Sequence, residues 1–169
     1  LLDTMRSNAN NGCYNLKLFE TGKIFIDKGQ GELPTEKERL GVLLTGVAYD
    51  DFWHLKESGA DFYSLKGVVE DLMAGLRLTG VTYKASRMEP FLHPGRSCSI
   101  VIEQDVVGFL GELHPDVQDR MDLRNRVLVL ELDLDSLCSH FMNQVNYREV
   151  SKYPPVTRDV AFLIRKDIE

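Results

Sequence analysis

The sequence has few of the residues that build disulfide frameworks, zinc knuckles or membrane spans. It contains 3 cysteines in 169 residues, and Cys13, Cys98 and Cys138 lie far apart with no Cys-x-x-Cys pair among them. This excludes a disulfide framework and a zinc knuckle, so we interpret them as core thiols of a cytoplasmic protein. No apolar run approaches the roughly 20 residues of a membrane-spanning helix, and the start has no secretory signal. We therefore expect no membrane partner.

Positive charge is also scarce. The chain has 20 basic and 26 acidic residues, a formal net charge of −6, and 151–169 is slightly basic, so the acidic excess lies in 1–150. Because surfaces that bind RNA are usually basic, this argues against a free-standing RNA-binding module. The hydrophobic content of 43% is that of a folded protein and excludes a disordered chain.

Apolar patterning predicts short strands around one clear helix. The first predicted elements are a helix end at 1–11, strands at 16–20 and 23–27 joined as a hairpin at Thr21-Gly22, and a strand buried on both faces at 39–49. A helix at 66–78, capped by Asp61 or Ser64, is followed by strands at 81–87, 98–103 and 107–113, with a loop at 89–96. The last predicted elements are a short helix from Pro115 to about 121, a central strand at 127–133, a short helix at 134–141 and a strand at 144–150. This order predicts the α+β class, with a mainly antiparallel sheet and flanking helices.

A domain boundary is predicted near residue 150. Tyr153 is followed by Pro154 and Pro155, which cannot donate to a strand ladder. Residues 1–150 then form one domain, and the strand predicted at 159–165 begins another. The chain starts at Leu1 and not at a methionine, so we expect it to be part of a longer chain.

The histidines offer one possible metal site. His93 and His114, with Glu112 and Asp116, could in principle converge on an ion. Both histidines directly precede a proline, where turn-forming and hydrogen-bonding roles are more common. We favour the structural role and keep the metal site as an alternative.

Two further motifs are weak. Arg87-Met88-Glu89 has the Arg-x-Glu layout with which class II aminoacyl-tRNA synthetases hold ATP, yet Pro90 follows it at once. We interpret Arg87 and Glu89 as an exposed ion pair. Gly108 and Gly111 lie inside a strand pattern and lack the lysine of a phosphate loop, so they predict close backbone approach.

Six segments in order resemble the β chains of bacterial phenylalanine–tRNA ligases, and together they span the chain. They are NLKLFETG (15–22), DFYSLKGVVE (61–70), LHPGRS (92–97), VGFLGELHPD (107–116), LELDL (130–134) and YPPVTRDV (153–160). The motif positions that the resemblance marks as structural are Glu20, Lys66, Gly67, His93, Pro94, Gly95, Arg96, Gly111, Glu112, His114 and Pro115.

The resemblance implies a fold, an assembly and a cellular role. Residues 1–150 resemble a class II synthetase core whose beginning is missing, and 151–169 resemble the linker and first strand of a ferredoxin-like anticodon-binding domain. Enzymes of this family combine two α and two β chains, and use ATP and magnesium to attach phenylalanine to its tRNA in the cytoplasm. Arg158 would stand where the anticodon-binding domain begins, so it is a candidate tRNA contact.

The family's catalytic α chain has a similar order of elements, which assigns its ATP-binding motifs to positions here. The second motif falls near 18–22, where Glu20 is retained. The third falls near 127–135, where Glu131 and Asp133 occur without the expected glycines and arginine. Carboxylates would repel the phosphates of ATP. We therefore expect no catalytic, cofactor-binding or metal-binding residue.

The resulting prediction is a non-catalytic structural module that binds the catalytic α chain, with the Phe109–Leu113 region backing the interface. Two alternatives remain open. One is an ATP-binding domain with residual activity through Arg87 and Glu89, and the other is an RNA-binding module.

Overall fold

An antiparallel sheet of six strands runs through the chain, which confirms the predicted α+β class. The structure, a computed structural model, describes residues 1–29, 31–49, 53, 58–141, 149, 152–161 and 163. The strands are β1 (Leu16–Ile26), β2 (Thr35–Thr45), β3 (Val47–Tyr49), β4 (Ser58–Gly59), β5 (Val81–Ala85), β6 (Leu92–Ile102), β7 (Asp105–Leu113) and β8 (Val127–Asp133). The helices are α1 (Leu2–Asn10), α2 (Phe62–Gly75), α3 (Pro115–Arg120) and α4 (Leu134–Ser139).

The order of strands in the large sheet is β1-β2-β8-β7-β6-β5, and β3 and β4 form a separate two-stranded sheet. All neighbouring strands pair antiparallel. As predicted, β8 is central, between β2 and β7. Within the described residues, no helix is both long enough and apolar enough to cross a membrane.

The two faces of the sheet pack against different helices. Because side chains alternate along a strand, Leu128, Leu130 and Leu132 of β8 share one face and pack against α2 in the main core. On the opposite face, Val127 of β8 packs with Met5 of α1 in a smaller core. The rest of that opposite face, which we call the open face, carries charged side chains from β2 and β8.

Helix α2 begins with a capping box. Asp61 Oδ1 accepts a hydrogen bond from Ser64 N at 2.8 Å, and Asp61 N donates to Ser64 Oγ at 3.2 Å. The bond from the Ser64 backbone is the main reason why the pKa of Asp61 is lowered. The helix therefore starts at Phe62, four residues before the start that the sequence predicts.

Three strand predictions are wrong in their bounds. The predicted hairpin at Thr21-Gly22 does not exist, because β1 continues through both residues and pairs with β2 over its whole length. The predicted strand 39–49 is broken at Gly46, which has a φ of +84°. A Cβ there would lie 2.2 Å from Asn15 Oδ1, so a side chain is excluded.

The third error is the loop predicted at 89–96, since β6 already begins at Leu92. Pairing with β7 shifts between Leu92 and Ser97, and this irregularity accommodates a proline that cannot donate to the ladder. At the other end of the chain, residues 159–161 and 163 are not in a strand. The remainder of that predicted strand, and all of the predicted strand 144–150 except 149, lie outside the described residues.

Candidate functional site

The open face holds a row of charges where the resemblance assigns ATP-binding motifs. Arg39 of β2 is opposite Asp133 of β8, and Gly41 is opposite Glu131. Phe109 of β7 is opposite Glu131 on the other side. These residues, except for Gly41, border a groove of about 340 Å³.

The charges on this face are paired. Arg39 Nη1 and Lys37 Nζ each lie 3.2 Å from Asp133 Oδ2, and Arg39 Nε lies 3.7 Å from Glu131 Oε1. The Asp133 side chain is 9% exposed. Its other oxygen, Oδ1, accepts from Ser136 N at 3.0 Å and caps α4. A single carboxylate thus ties β2 and β8 to the start of the following helix.

The pKa of Asp133 reflects this environment. Burial, the largest single influence, raises it, but the hydrogen bonds from Ser136 and Lys37 and the charge of Arg39 together outweigh burial. The pKa therefore lies below the ordinary aspartate value, and the carboxylate is ionised at neutral pH. Within the cluster, two carboxylates balance two cations, so no surplus of positive charge awaits a polyphosphate.

Glu20, the residue retained from the second motif, lies on the same face. Glu20 lies on β1 opposite Gly41 of β2, and Gly41 is opposite Glu131 of β8. The two glutamates therefore lie in one row across the sheet. The Glu20 side chain is largely exposed. Glu20 is thus a third carboxylate on the open face, and its Oε1 lies 3.8 Å from the amino group of Leu1.

A second cluster lies at the α2 side of the sheet, around buried Glu112 of β7. Arg96 Nη1 lies 2.9 and 3.0 Å from its two carboxylate oxygens, and Arg126 Nε lies 3.3 Å from Oε2. Arg96 and Glu112 are among the positions predicted from the sequence, whereas Arg126 is not. The only available signal was its position directly before a central strand.

The two candidate histidines form local turns. His93 Nδ1 accepts from Gly95 N at 3.1 Å, and His114 Nδ1 accepts from Asp116 N at 3.2 Å. Glu112, their supposed co-ligand, is bound to arginines. In the described part of the chain, no group of three or more His, Cys, Asp or Glu side chains is placed to hold a metal ion.

The other marked positions are spread over the fold. Lys66 pairs with Glu70, and its Nζ lies 4.6 Å from the centroid of the Tyr83 ring. A Cβ added at Gly111 would lie 2.8 Å from Ser97 Cβ, so this glycine lets β6 and β7 approach. Of the remaining three, Gly67 lies within α2, Pro94 lies at the irregularity of β6, and Pro115 is the first residue of α3.

The predicted ion pair between Arg87 and Glu89 is not observed. Arg87 is exposed, both residues follow β5 in a loop, and neither forms an ion pair with another described residue. Arg158 is exposed in the irregular segment 152–161. Its role in contacting tRNA stays a prediction.

Fold and site together define an α+β domain whose open sheet face carries balanced ion pairs. The chain belongs to the family described as the phenylalanyl tRNA synthetase beta chain CLM domain, whose family model matches residues 1–134.

Full-length relatives extend the match to the whole chain. The phenylalanine–tRNA ligase beta subunit of Syntrophus aciditrophicus is 51% identical over 169 residues, covering 100% of this chain and 21% of the relative. The beta subunits of Symbiobacterium thermophilum and Carboxydothermus hydrogenoformans are 40% and 38% identical over 168 residues, covering 99% of this chain and 19% and 21% of the relatives. The chain therefore spans about a fifth of the length of the relatives it matches.

Proposed function

We propose that this chain is a non-catalytic, synthetase-like core module of a phenylalanine–tRNA ligase β subunit, and that it binds the catalytic α subunit. In the proposed enzyme, the α subunit uses ATP and magnesium to attach phenylalanine to tRNA in the cytoplasm, within an assembly of two α and two β chains. Residues 1–150 would form the core and 151–169 would lead into an anticodon-binding domain. Family membership and the antiparallel sheet support this proposal.

The observation that carries the non-catalytic role is the pairing of Glu131 and Asp133 with Lys37 and Arg39. Adenylate formation develops negative charge on phosphate oxygens, which free cations must stabilise. Here the cations on the open face already neutralise carboxylates, and removing a partner from buried Asp133 would leave that charge uncompensated.

Calorimetric titration with ATP and magnesium tests this role. We expect no binding heat from the 169-residue chain up to millimolar ATP. A saturable heat that disappears in Arg87→Ala would instead support the alternative of an ATP-binding domain.

Strand β1 provides the apolar surface that we assign to the α subunit. It is an edge strand, and Phe19 and Phe25 on one of its faces are 75% and 63% exposed. Exposed apolar edge strands invite pairing or aggregation unless a partner covers them. By contrast, Leu110 and Leu113 in the Phe109–Leu113 region are buried, so that region can only support an interface from behind.

Co-elution with the purified α subunit on size exclusion tests the interface. The unmodified chain should shift into a joint peak, and the double variant Phe19→Ser/Phe25→Ser should not. Val106→Ser, which alters an exposed apolar residue of β7, is the matched control and should still co-elute. Equal co-elution of the double variant would contradict the assignment to β1, and separate peaks for the unmodified chain would contradict α binding itself.

The RNA-binding alternative has its own test. Because 1–150 is acidic, filter binding of tRNA at low salt should show only weak retention that salt removes. If Arg158 contacts tRNA, Arg158→Ala should lower that retention, whereas Arg77→Ala, at an exposed site beyond α2, should not.

A further inference from the structure

Strand β1 forms an edge of the large sheet that is open to further pairing. Natural edge strands avoid unwanted pairing by being short, by containing proline or by bulging away. β1 has 11 residues, contains no proline, and pairs with β2 without a shift of register. The opposite edge strand, β5, has 5 residues. β1 therefore offers a long row of backbone groups with which another strand can pair.

The sequence of β1, together with the residue that follows it, is complementary to itself about Gly22. When two copies of a strand pair antiparallel around a two-fold axis, each residue is opposite the one equally far beyond the axis. An axis at Gly22 places Lys17 of each copy opposite Asp27 of the other. Opposite charges therefore meet at both ends of the paired strands, an arrangement that stabilises antiparallel sheets.

The apolar residues of β1 match in the same register. Phe19 and Phe25, which are 75% and 63% exposed, lie on one face of the strand and would be opposite each other. On the other face, Leu18 would be opposite Ile26, which is 43% exposed. Cross-strand pairs of aromatic and of branched apolar residues contribute to sheet stability. Pairing of two copies would therefore cover apolar side chains on both faces of β1.

The neighbouring registers lack this match. An axis at Glu20 places that carboxylate opposite itself, and an axis at Lys23 does the same for an ammonium group. Like charges that are directly opposite destabilise a strand pair. An axis at Thr21 brings no opposite charges together. Among these four positions, the axis at Gly22 alone matches both the charges and the apolar residues.

The charged residues at the two ends of the strand are exposed and can each accept a further partner. Lys17 Nζ donates to the carbonyl oxygen of Ala48 at 2.9 Å, and Asp27 Oδ1 accepts from Gly29 N at 2.8 Å. An ammonium group has three donors and a carboxylate has two oxygens, so neither is saturated by one bond. Both ends of β1 can therefore take part in an ion pair between copies.

We propose that two copies of this chain pair through β1, antiparallel about Gly22, and join their two six-stranded sheets into one continuous sheet. The same strand is assigned above to the α subunit, so this dimer belongs to the chain in the absence of that subunit. An interface made by one pair of strands is small. The dimer is therefore reversible, and its population rises with protein concentration.

Sedimentation velocity of the 169-residue chain over a concentration series, without the α subunit, tests the dimer. We expect the sedimentation coefficient to rise to that of a dimer. Lys17→Glu places like charges opposite each other twice and should raise the dissociation constant about tenfold, as should Asp27→Lys. The double variant Lys17→Glu/Asp27→Lys restores opposite charges and should return the constant to within about threefold of its original value. Lys84→Glu, a charge reversal at an exposed position of β5, is the matched control.

Three outcomes would overturn the proposal. The first is a chain that stays monomeric at every concentration, and the second is a dimer that neither single variant weakens. The third is a double variant as weak as the single variants, because residues 17 and 27 would then not face each other. Since no α subunit is present, none of these outcomes bears on α binding, which co-elution tests separately.

A cysteine at the two-fold axis gives a second readout. Residues directly opposite in an antiparallel pair have Cα atoms about 4.5–5.5 Å apart, which a disulfide can span. Gly22→Cys should fold normally, since a Cβ there has nothing within 4 Å, and should form a disulfide-linked dimer on mild oxidation. The controls are Lys84→Cys on the other edge and the unmodified chain, in which Cys13 and Cys138 are exposed. Cross-linking of either control to the same extent would overturn the axis at Gly22.

Discussion

Gly108 and Gly67 differ in the space that a side chain would find at each position. A Cβ at Gly108 would lie 2.2 Å from the carbonyl oxygen of Glu131, a backbone atom of the neighbouring strand that cannot turn away. A Cβ at Gly67, in the middle of α2, would have nothing within 4 Å. The first glycine is needed for β7 to approach β8, whereas the second only weakens a helix.

Alanine at these two glycines should therefore act in opposite directions. Gly108→Ala should lower the free energy of unfolding by about 2 kcal/mol or more, because the strands must separate. Gly67→Ala should raise it by about 0.5–1 kcal/mol through helix propensity. Urea denaturation followed by circular dichroism measures both, and a stable Gly108→Ala would refute the close approach of the strands.

At this scale the sequence predicts what depends on near neighbours. A cap at Asp61 or Ser64 and the first-turn position of Pro115 follow from residues a few places along the chain. The structure shows Asp61 as the cap and Pro115 as the first residue of α3. The joining of Arg126 to Glu112 depends on the pairing of β7 with β8, which no local pattern reveals. On the open face, the sequence predicts the carboxylates Glu131 and Asp133 but not their partners Lys37 and Arg39.

Apolar residues of helix α2 differ in how deeply they are buried. Leu65 and Val68 are apolar residues three positions apart in α2, yet Leu65 is fully buried and Val68 is 41% exposed. Leu65→Ala should lower the free energy of unfolding by about 2–5 kcal/mol through loss of burial and creation of a cavity. Val68→Ala should change it by about 0.5 kcal/mol or less. Thermal or urea unfolding of the pair checks this, and equal losses would contradict the packing of α2.

Strand lengths were the least predictable feature of the elements. Thr21-Gly22 resembles a turn locally, but β2 offers a continuous partner, so β1 extends through both residues. In the same way, Pro94 suggests a loop, yet β6 absorbs it at a shift of register. In both cases pairing with a distant strand overrides the local preference.

For the molecule as a whole, acid should weaken the fold through Asp133. Its pKa is lower in the folded chain than in an unfolded one, so its contribution to stability is complete above the ordinary aspartate pKa of about 4. That contribution is lost as the pH falls through the lower folded value. Asp133→Asn should be about 1–2 kcal/mol less stable at pH 7 and should lose less stability on acidification. Urea midpoints between pH 7 and pH 3 measure this, and parallel curves for both proteins would contradict it.

The strand order also has a consequence for biosynthesis. Strand β8 joins β2 to β7, yet it follows β7 in the chain, so a ribosome releases two local hairpins, β1–β2 and β6–β7, before the strand that unites them. Until Val127–Asp133 emerges, both hairpins keep an unpaired inner edge that can find the wrong partner. A nascent chain stalled before residue 127 should therefore be digested by protease throughout, and one stalled well beyond residue 141 should be protected.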